Sequence, residues 1–271
     1  MLFCGLDWMW LVLLAKERQE YIYQLLQNTG AVTTAELMDR LNISIETVRR
    51  DLLALEQAQR LQRVHGGAVT AGGMKPFPSL SHRTQENEEA KQELAVIAAG
   101  KVCDGDIIGV DSGSTALLFA EALKKNLSSL TVVTYSLDVF ECLCRFKNFQ
   151  VILCGGYFCA EENAFYGAMA LETLEKLHMQ KVFVCPSALS LKNGIGDYQK
   201  ELYPLQKQLL VSGDEVYVLA DNSKFEKSAL FQLDAMKPHY TYVTDRGLSP
   251  ELRRLYRENQ IKILCERGDA Q

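Results

Sequence analysis

The chain has 271 residues, of which 48% are apolar and 23% charged, and its net charge is −5. These values describe one large or two smaller folded domains and exclude a disordered chain. They also exclude a polycation that holds nucleic acid by bulk charge, so any DNA contact must come from a local basic surface.

In chain order, the first stretch (MLFCGLDWMWLVLLA, 1–15) is apolar but too short to span a bilayer, and Asp7 interrupts it. It lacks the positive start and small-residue cleavage site of a signal peptide. Organised sequence begins near Lys16, so 1–15 reads as a start placed upstream of the real one near Val12 or Leu13, as an extra packed helix, or as a segment with a membrane role. N-terminal sequencing of the natural protein decides between them.

The next segment, 16–70, predicts three short helices and a hairpin. Ile22, Leu25 and Leu26 share a face of the first helix, 16–27, which Asn28-Thr29-Gly30 ends. Thr33 is the expected N-cap of the second, with Glu36 completing a capping box. Ser44 caps the third, in which Val48, Leu52 and Leu55 recur at helical spacing. The opposite face carries Glu46, Thr47, Arg49 and Arg50. Two helices joined by a tight turn make a helix-turn-helix, whose last helix enters the major groove. There a threonine meets a thymine methyl or a phosphate, and an arginine forks onto guanine. Leu61 to Ala68 alternates and then turns at Gly66-Gly67, which predicts a wing. Arg60, Arg63 and His65 are expected to face phosphates. The DNA-contacting candidates are Thr33, Thr34, Ser44, Glu46, Thr47, Arg49, Arg50, Arg63, His65 and Gly66.

Residues 71–84 hold two glycines, two prolines and three Ser/Thr, the composition of a linker. A Glu/Lys-rich helix follows over 86–101. Apolar runs then occur at 107–110, 130–134, 151–154, 182–185, 216–220, 240–244 and 261–264. Helical stretches lie between most of them, at 115–125, 137–146, 168–177, 200–211 and 250–258. This alternation predicts an α/β domain over 85–271 with a largely parallel sheet. The fold class is therefore α/β: an N-terminal winged helix-turn-helix followed by a largely parallel α/β domain.

Ligands of such sheets bind at the carboxyl ends of strands. Asp111-Ser112-Gly113-Ser114-Thr115 leaves a strand and opens a helix, where backbone amides and hydroxyls face an anion. Thr134 and Ser136, and then Gly155-Gly156, end the next two strands. Asp221-Asn222-Ser223-Lys224 ends a later one, and Lys224 offers a point charge to a phosphate. Glu201 and Lys207 are placed on a helix after the Gly194-Ile195-Gly196-Asp197 turn. The effector-binding candidates are Asp111, Ser112, Gly113, Ser114, Thr115, Thr134, Ser136, Gly155, Gly156, Glu201, Lys207 and Lys224. None of the eight cysteines forms a C-x-x-C pair and the four histidines (His65, His82, His178, His239) are scattered, so no metal site or cofactor is expected. The thiols read as buried and reduced, which fits the cytoplasm.

Two sets of motifs carry a resemblance. Arg18-x3-Ile22-x3-Leu26, Ser44-x2-Thr47-Val48-Arg49-Arg50-Asp51-Leu52 and Arg63-x-His65-Gly66-Gly67-Ala68 resemble the DeoR-type helix-turn-helix and its wing. Asp111-x-Gly113-Ser114-Thr115, Thr134-x-Ser136, Gly155-Gly156, Gly167 and Asp221-x-Ser223-Lys224-Phe225 resemble the sensor domain of DeoR/GlpR regulators, which is related to sugar-phosphate isomerases and CoA transferases. The resemblance implies a ligand-controlled regulator, usually a repressor of carbohydrate genes, that responds to a phosphorylated sugar or related metabolite. It implies double-stranded operator DNA as partner, and spaced half-sites imply a homo-oligomer, dimer or tetramer. The chain departs from the family pattern at Tyr135, usually Asn, and at Lys181 to Ser187, usually an Asp-led strand and a Gly-rich loop. Two other functions are weighed against this one. An isomerase- or deaminase-like enzyme would use Asp111 and Glu201 as its carboxylates, and turnover of sugar phosphates would reveal it. A structural DNA-binding protein would show no thermal shift with any metabolite.

Overall fold

The computed structural model describes residues 15–29, 31–64, 66–70 and 78–265. The region 1–14, His65 and residues 71–77 lie outside these, and so do the expectations placed on them. The described residues divide into two compact units after Ser79.

The first unit contains α1 (Ala15–Thr29), β1 (Ala31–Thr33), α2 (Thr34–Leu41), α3 (Ile45–Gln57), β2 (Leu61–Val64) and β3 (Gly67–Thr70). Ile22 and Leu26 of α1, Leu37 of α2, and Val48, Leu52 and Leu55 of α3 form its buried core. These are the positions that helical spacing places on one face. Ser44 caps α3 as expected: its oxygen accepts from Thr47 N at 3.3 Å. β2 and β3 form the wing hairpin.

Thr33 directly precedes α2, and its backbone also lies in β1, where it pairs with Gly67 of the wing. The short strand, too short to show a period, joins the hairpin as a third strand in the order β1-β3-β2. Thr34 opens the helix, and both its N–H and its hydroxyl donate to Gly66 O, at 2.8 and 3.1 Å. The start of α2 is thereby tied to the wing turn, where Gly66 sits at φ +83°.

The second unit opens with α4 (Leu80–Gln85), so the last part of the expected linker is helix, and continues with α5 (Glu88–Ala99), β4 (Ile107–Val110), α6 (Ser114–Asn126), β5 (Leu130–Thr134), α7 (Leu137–Leu143) and β6 (Phe149–Leu153). Then come β7 (Tyr157–Cys159), β8 (Ala164–Tyr166), α8 (Ala168–Glu175), β9 (Met179–Val184), β10 (Ala188–Ser190), β11 (Gly194–Asp197) and α9 (Tyr203–Val211). The chain ends on β12 (Gly213–Leu219), β13 (Phe231–Asp234), β14 (Thr241–Val243), α10 (Pro250–Glu258) and β15 (Lys262–Leu264).

Seven strands form one sheet in the order β15-β14-β12-β9-β4-β5-β6, and every neighbouring pair is parallel. A sheet covered on both faces needs apolar side chains on both, which is why its strands read as continuous apolar runs. Leu94 of α5, Phe119 of α6 and Leu143 of α7 pack with Ile108, Phe183 and Tyr217 on one face. Leu174 of α8, Leu205 and Leu209 of α9 and Tyr256 of α10 pack with Val182, Val216 and Val218 on the other. Two antiparallel additions, the β7–β8 hairpin and the β10-β11-β13 sheet, are absent from the sequence reading. Their strands have three or four residues each, too few for alternation to register.

The order of strands locates the site. From β4 the chain moves outward to β5 and β6, then returns to place β9 on the other side of β4. The crevice at the carboxyl ends of β4 and β9 is the topological switch point, the default ligand position in such folds.

Candidate functional site

In the first unit, α3 presents Glu46, Arg49 and Arg50 to solvent, and neither arginine holds an ion pair among the described residues. Thr47 is half-buried, its hydroxyl 3.1 Å from that of Ser44. Buried Asp51 behind them accepts from Arg18 Nε at 2.5 Å, from Arg18 Nη2 at 3.1 Å and from Gln19 Nε2 at 3.1 Å. This fork fixes α3 against α1.

The other basic residues of the surface differ from expectation. Arg63 donates its N–H and its Nε to Glu56, at 2.8 and 2.7 Å. Arg60 pairs with Glu20 at 2.8 Å and lies 3.7 Å over the Tyr23 ring. Both are committed to intramolecular partners, which spacing along a strand cannot reveal.

In the second unit, Asp111 follows β4 and is fully buried. Its Oδ1 accepts from Ser112 N at 2.7 Å and from the Tyr135 hydroxyl; its Oδ2 accepts from Cys185 N at 2.9 Å and Gln206 Nε2 at 3.3 Å. Tyr135 and Cys185, at the two departures from the family pattern, thus meet on one carboxylate. Gln206 also donates to Asp197 Oδ2 at 2.9 Å, while its own Oε1 is buried without a partner.

Burial raises the Asp111 pKa from 3.8 to about 6, against the opposing hydrogen bonds from Tyr135, Cys185 and Ser112 and with a further push from Asp197. The folded protein therefore binds an extra proton between about pH 3.8 and 6. This group's contribution to stability falls as pH rises through that window and is least favourable above it. A carboxyl-carbon NMR titration is expected to place the Asp111 midpoint near 6. A midpoint at or below the ordinary value would show that the hydrogen bonds outweigh burial.

Gly113 lies at φ +97° and is the N-cap of α6, with no side-chain cap. Ser112, Ser114 and Thr115 are buried around it. The first-turn amides of α6 are thus left to another acceptor. Arg83 of α4 stands over this turn, its Nη1 3.6 Å from where a Gly113 Cβ would be. Its Nη2 lies 2.5 Å from both oxygens of Glu162, which also accepts from Gln199 Nε2.

Lys91 of α5 is buried and donates to Arg83 O and, at 2.7 Å, to Glu86 O, holding the end of α4. Burial lowers its pKa to about 8, although nearby Asp221 opposes the shift. Asp221 follows β12, receives Ser223 N at 3.0 Å, and keeps Oδ2 buried without a partner. Lys224 lies in the adjoining turn.

Some candidates do not join this group. Thr134 Oγ1 accepts from Ser136 N at 3.1 Å and Ser136 Oγ accepts from Val139 N at 3.3 Å, so these oxygens shape the start of α7. Gly156 has a packing reason, since a Cβ there would collide with the Tyr166 carbonyl, whereas Gly155 is exposed with open space around it. Glu201 is not helical; it precedes α9 and is exposed. Lys207 is exposed with its ammonium 5.5 Å from the Tyr203 ring, and it is Gln206 that the helix turns toward Asp111. Arg83, Lys91, Glu162, Asp197 and Gln206 escaped the sequence reading. Only the polar Gln206 among the apolar residues of α9 offered a signal. Among the described residues there is no cluster of His, Cys, Asp and Glu that could hold a metal, and no helix long and apolar enough to cross a membrane.

Comparison with known proteins agrees with both units. A DeoR-like helix-turn-helix domain matches residues 18–72 and a DeoR C terminal sensor domain matches residues 86–246. The uncharacterized HTH-type transcriptional regulator YulB of Bacillus subtilis is 30% identical over 94% of this chain and 100% of that protein. The L-fucose operon activator of Haemophilus influenzae is 31% identical over 90% of this chain and 97% of its own. The lactose phosphotransferase system repressor of Lactococcus lactis is 32% identical over 87% of this chain and 93% of its own.

Proposed function

Because the chain belongs to the DeoR family of transcriptional regulators, we propose that it is a sequence-specific repressor of a carbohydrate-metabolism operon whose DNA affinity is set by a phosphorylated sugar or related metabolite. The observation that carries the effector half is the first turn of α6, uncapped by any side chain and standing under Arg83 at the switch point of the sheet. A helix N-terminus beside a guanidinium suits a phosphate. The two relatives named for sugar genes support the carbohydrate assignment. One of them is named an activator and the other a repressor.

The mechanism is a shift in population. The effector binds better to a conformation whose winged helices are wrongly spaced for the operator half-sites, and it weakens DNA binding by that differential affinity alone. A coupling of ~1–3 kcal/mol corresponds to about a 5- to 150-fold change in DNA affinity. Half-sites call for a dimer or tetramer, and action on DNA places the protein in the cytoplasm.

Fluorescence anisotropy with DNA from the protein's own upstream region, at fixed salt, tests the reading. Tight binding released by one compound of a sugar-phosphate panel is the expected result. Weak binding to every DNA, falling steeply with salt, would count against specific recognition. The enzymatic alternative is disfavoured because Asp111 is buried and fully engaged while Glu201 is exposed. Turnover of any sugar phosphate in the same panel would revive it.

A further inference from the structure

β6 closes one side of the main sheet, and among the described residues no strand pairs with its outer edge. That edge is a row of unmet backbone groups. Leu130 N donates to Asn148 O, and Cys154 N donates to Thr134 O at 2.8 Å. The even-numbered residues of the strand therefore bond to β5, and the odd-numbered ones face outward. The N–H and C=O of Val151 and Leu153 point away from the sheet and have no partner among the described residues. Resting on the regulator reading for its demand of a two-fold partner, we infer that this edge is the contact between two copies of the chain. β6 pairs antiparallel with β6 of a second copy about a two-fold axis at Val151, and the two seven-stranded sheets become one.

The composition of the edge fits an interface. Residues 148–160 carry no charge, in a chain that is 23% charged. Within this run Ile152, Tyr157 and Phe158 are exposed, and exposed Phe146 just before it lies 5.5 Å, ring to ring, from Phe149 of β6. Loss of charge and gain of aromatic residues mark the centre of protein interfaces. An open strand that must stay unpaired is usually protected by charge or proline. β15, at the other side of the sheet, starts at exposed Lys262, whereas β6 has no such residue.

The symmetry of the partner follows from the pattern. An antiparallel strand pair maps onto itself under a two-fold axis, and such a contact sets each surface against its own copy. A charge near the axis would meet its like, and β6 has none. With the axis at Val151, the two Val151 residues exchange both backbone bonds. Leu153 N–H then reaches Phe149 O of the partner, while Phe149 N–H is already given to Phe146 O. Gln150 stands opposite Ile152, both exposed.

The ends of the run are complementary. Exposed Arg145 and Lys147 precede it and exposed Glu161 follows it, and none of the three holds an ion pair among the described residues. Antiparallel pairing turns the basic entry of each strand toward the end of the other, from which the acidic turn follows. In the same register Lys147 comes opposite Gly155, which is exposed with open space around it.

The test is sedimentation of the full chain over a range of concentrations, unaltered and in two double variants. The unaltered chain is expected to form a dimer or a larger assembly. Gln150→Glu with Ile152→Glu sets like charges opposite each other and is expected to weaken association by about tenfold or more. Gln150→Glu with Ile152→Lys loses the same isoleucine but sets opposite charges together, and is expected to restore most of that loss. Association that the two glutamates leave unchanged overturns the inference. Equal weakening by both variants also overturns it, and so does a chain that is monomeric at every concentration. Should the first variant fail to fold by circular dichroism, hydrogen exchange of the unaltered chain decides. The Val151 and Leu153 amides are expected to slow as concentration rises, and exchange that ignores concentration overturns the pairing. Operator binding measured on the same samples separates this inference from the regulator reading. A dimer that binds operator and ignores these charges removes this surface alone. A dimer that the charges break but that binds no operator keeps the surface and removes the regulator reading.

Discussion

Replacing Arg49 and Arg50 together with alanine is expected to reduce affinity for the protein's own operator by about 100-fold or more, since one bidentate arginine–base contact is worth ~1–3 kcal/mol. Both side chains are exposed and hold no ion pair among the described residues, so nothing inside the molecule competes for them. Stability is expected to change by no more than about 0.5 kcal/mol, as for other exposed substitutions. Single replacements divide the roles. An arginine on a base relaxes preference at one position of the operator. An arginine on a phosphate weakens all sequences alike and lowers the salt slope by about one. Titration of the double variant at two salt concentrations is the measurement. Affinity within a factor of about two of the unaltered protein would remove α3 from the groove.

The second large effect lies directly behind that surface. Asp51→Ala is expected to destabilise the first unit by about 3–5 kcal/mol, the range for breaking a buried ion pair by removing one partner. Arg18 is left with its guanidinium largely enclosed and with the fork that Asp51 supplied gone. The hydrogen bond that Arg18 donates to Asp51 raises the Arg18 pKa against the opposing effect of burial. Hydrogen exchange of α1 and α3 in the full chain reads the loss locally, as faster exchange in peptides from those two helices. Operator binding is expected to fall with it, although Asp51 is buried and faces no DNA. Unaltered exchange in both helices would mean that the apolar core alone fixes α3. By contrast, the surface pairs of Arg60 with Glu20 and Arg63 with Glu56 are each worth no more than about 1 kcal/mol.

Asp51 shows what a resemblance can and cannot carry. Arg18 and Asp51 stand 33 residues apart in the matched motifs, and the sequence gives no reason for either. Folded, they are one interaction. Thr33 shows a second case: the sequence places it just before α2, and only the fold adds that β1, which it ends, pairs with the wing more than 30 residues away.

The sensor unit separates along the same line. Its seven strands were legible because a parallel sheet covered on both faces demands runs of apolar residues, and the helices between them were legible by their spacing. The loop from Asp111 to Thr115 was legible because glycine and small hydroxyl residues at a strand end have a local reason to be there.

The amino-acid sequence alone therefore determined the two-part architecture, the exposed polar face of α3 and the glycine-led start of α6. All of these depend on residues within a few positions of one another. Only the tertiary structure decided which partners complete them. Strand β9 returns to lie beside β4, and this one long-range choice brings Cys185 and Gln206 onto Asp111. The β7–β8 turn carries Glu162 to Arg83, 79 residues away. Such contacts form because buried charge and amide groups must find partners wherever the packed sheet places them, and that requirement has no period along the chain.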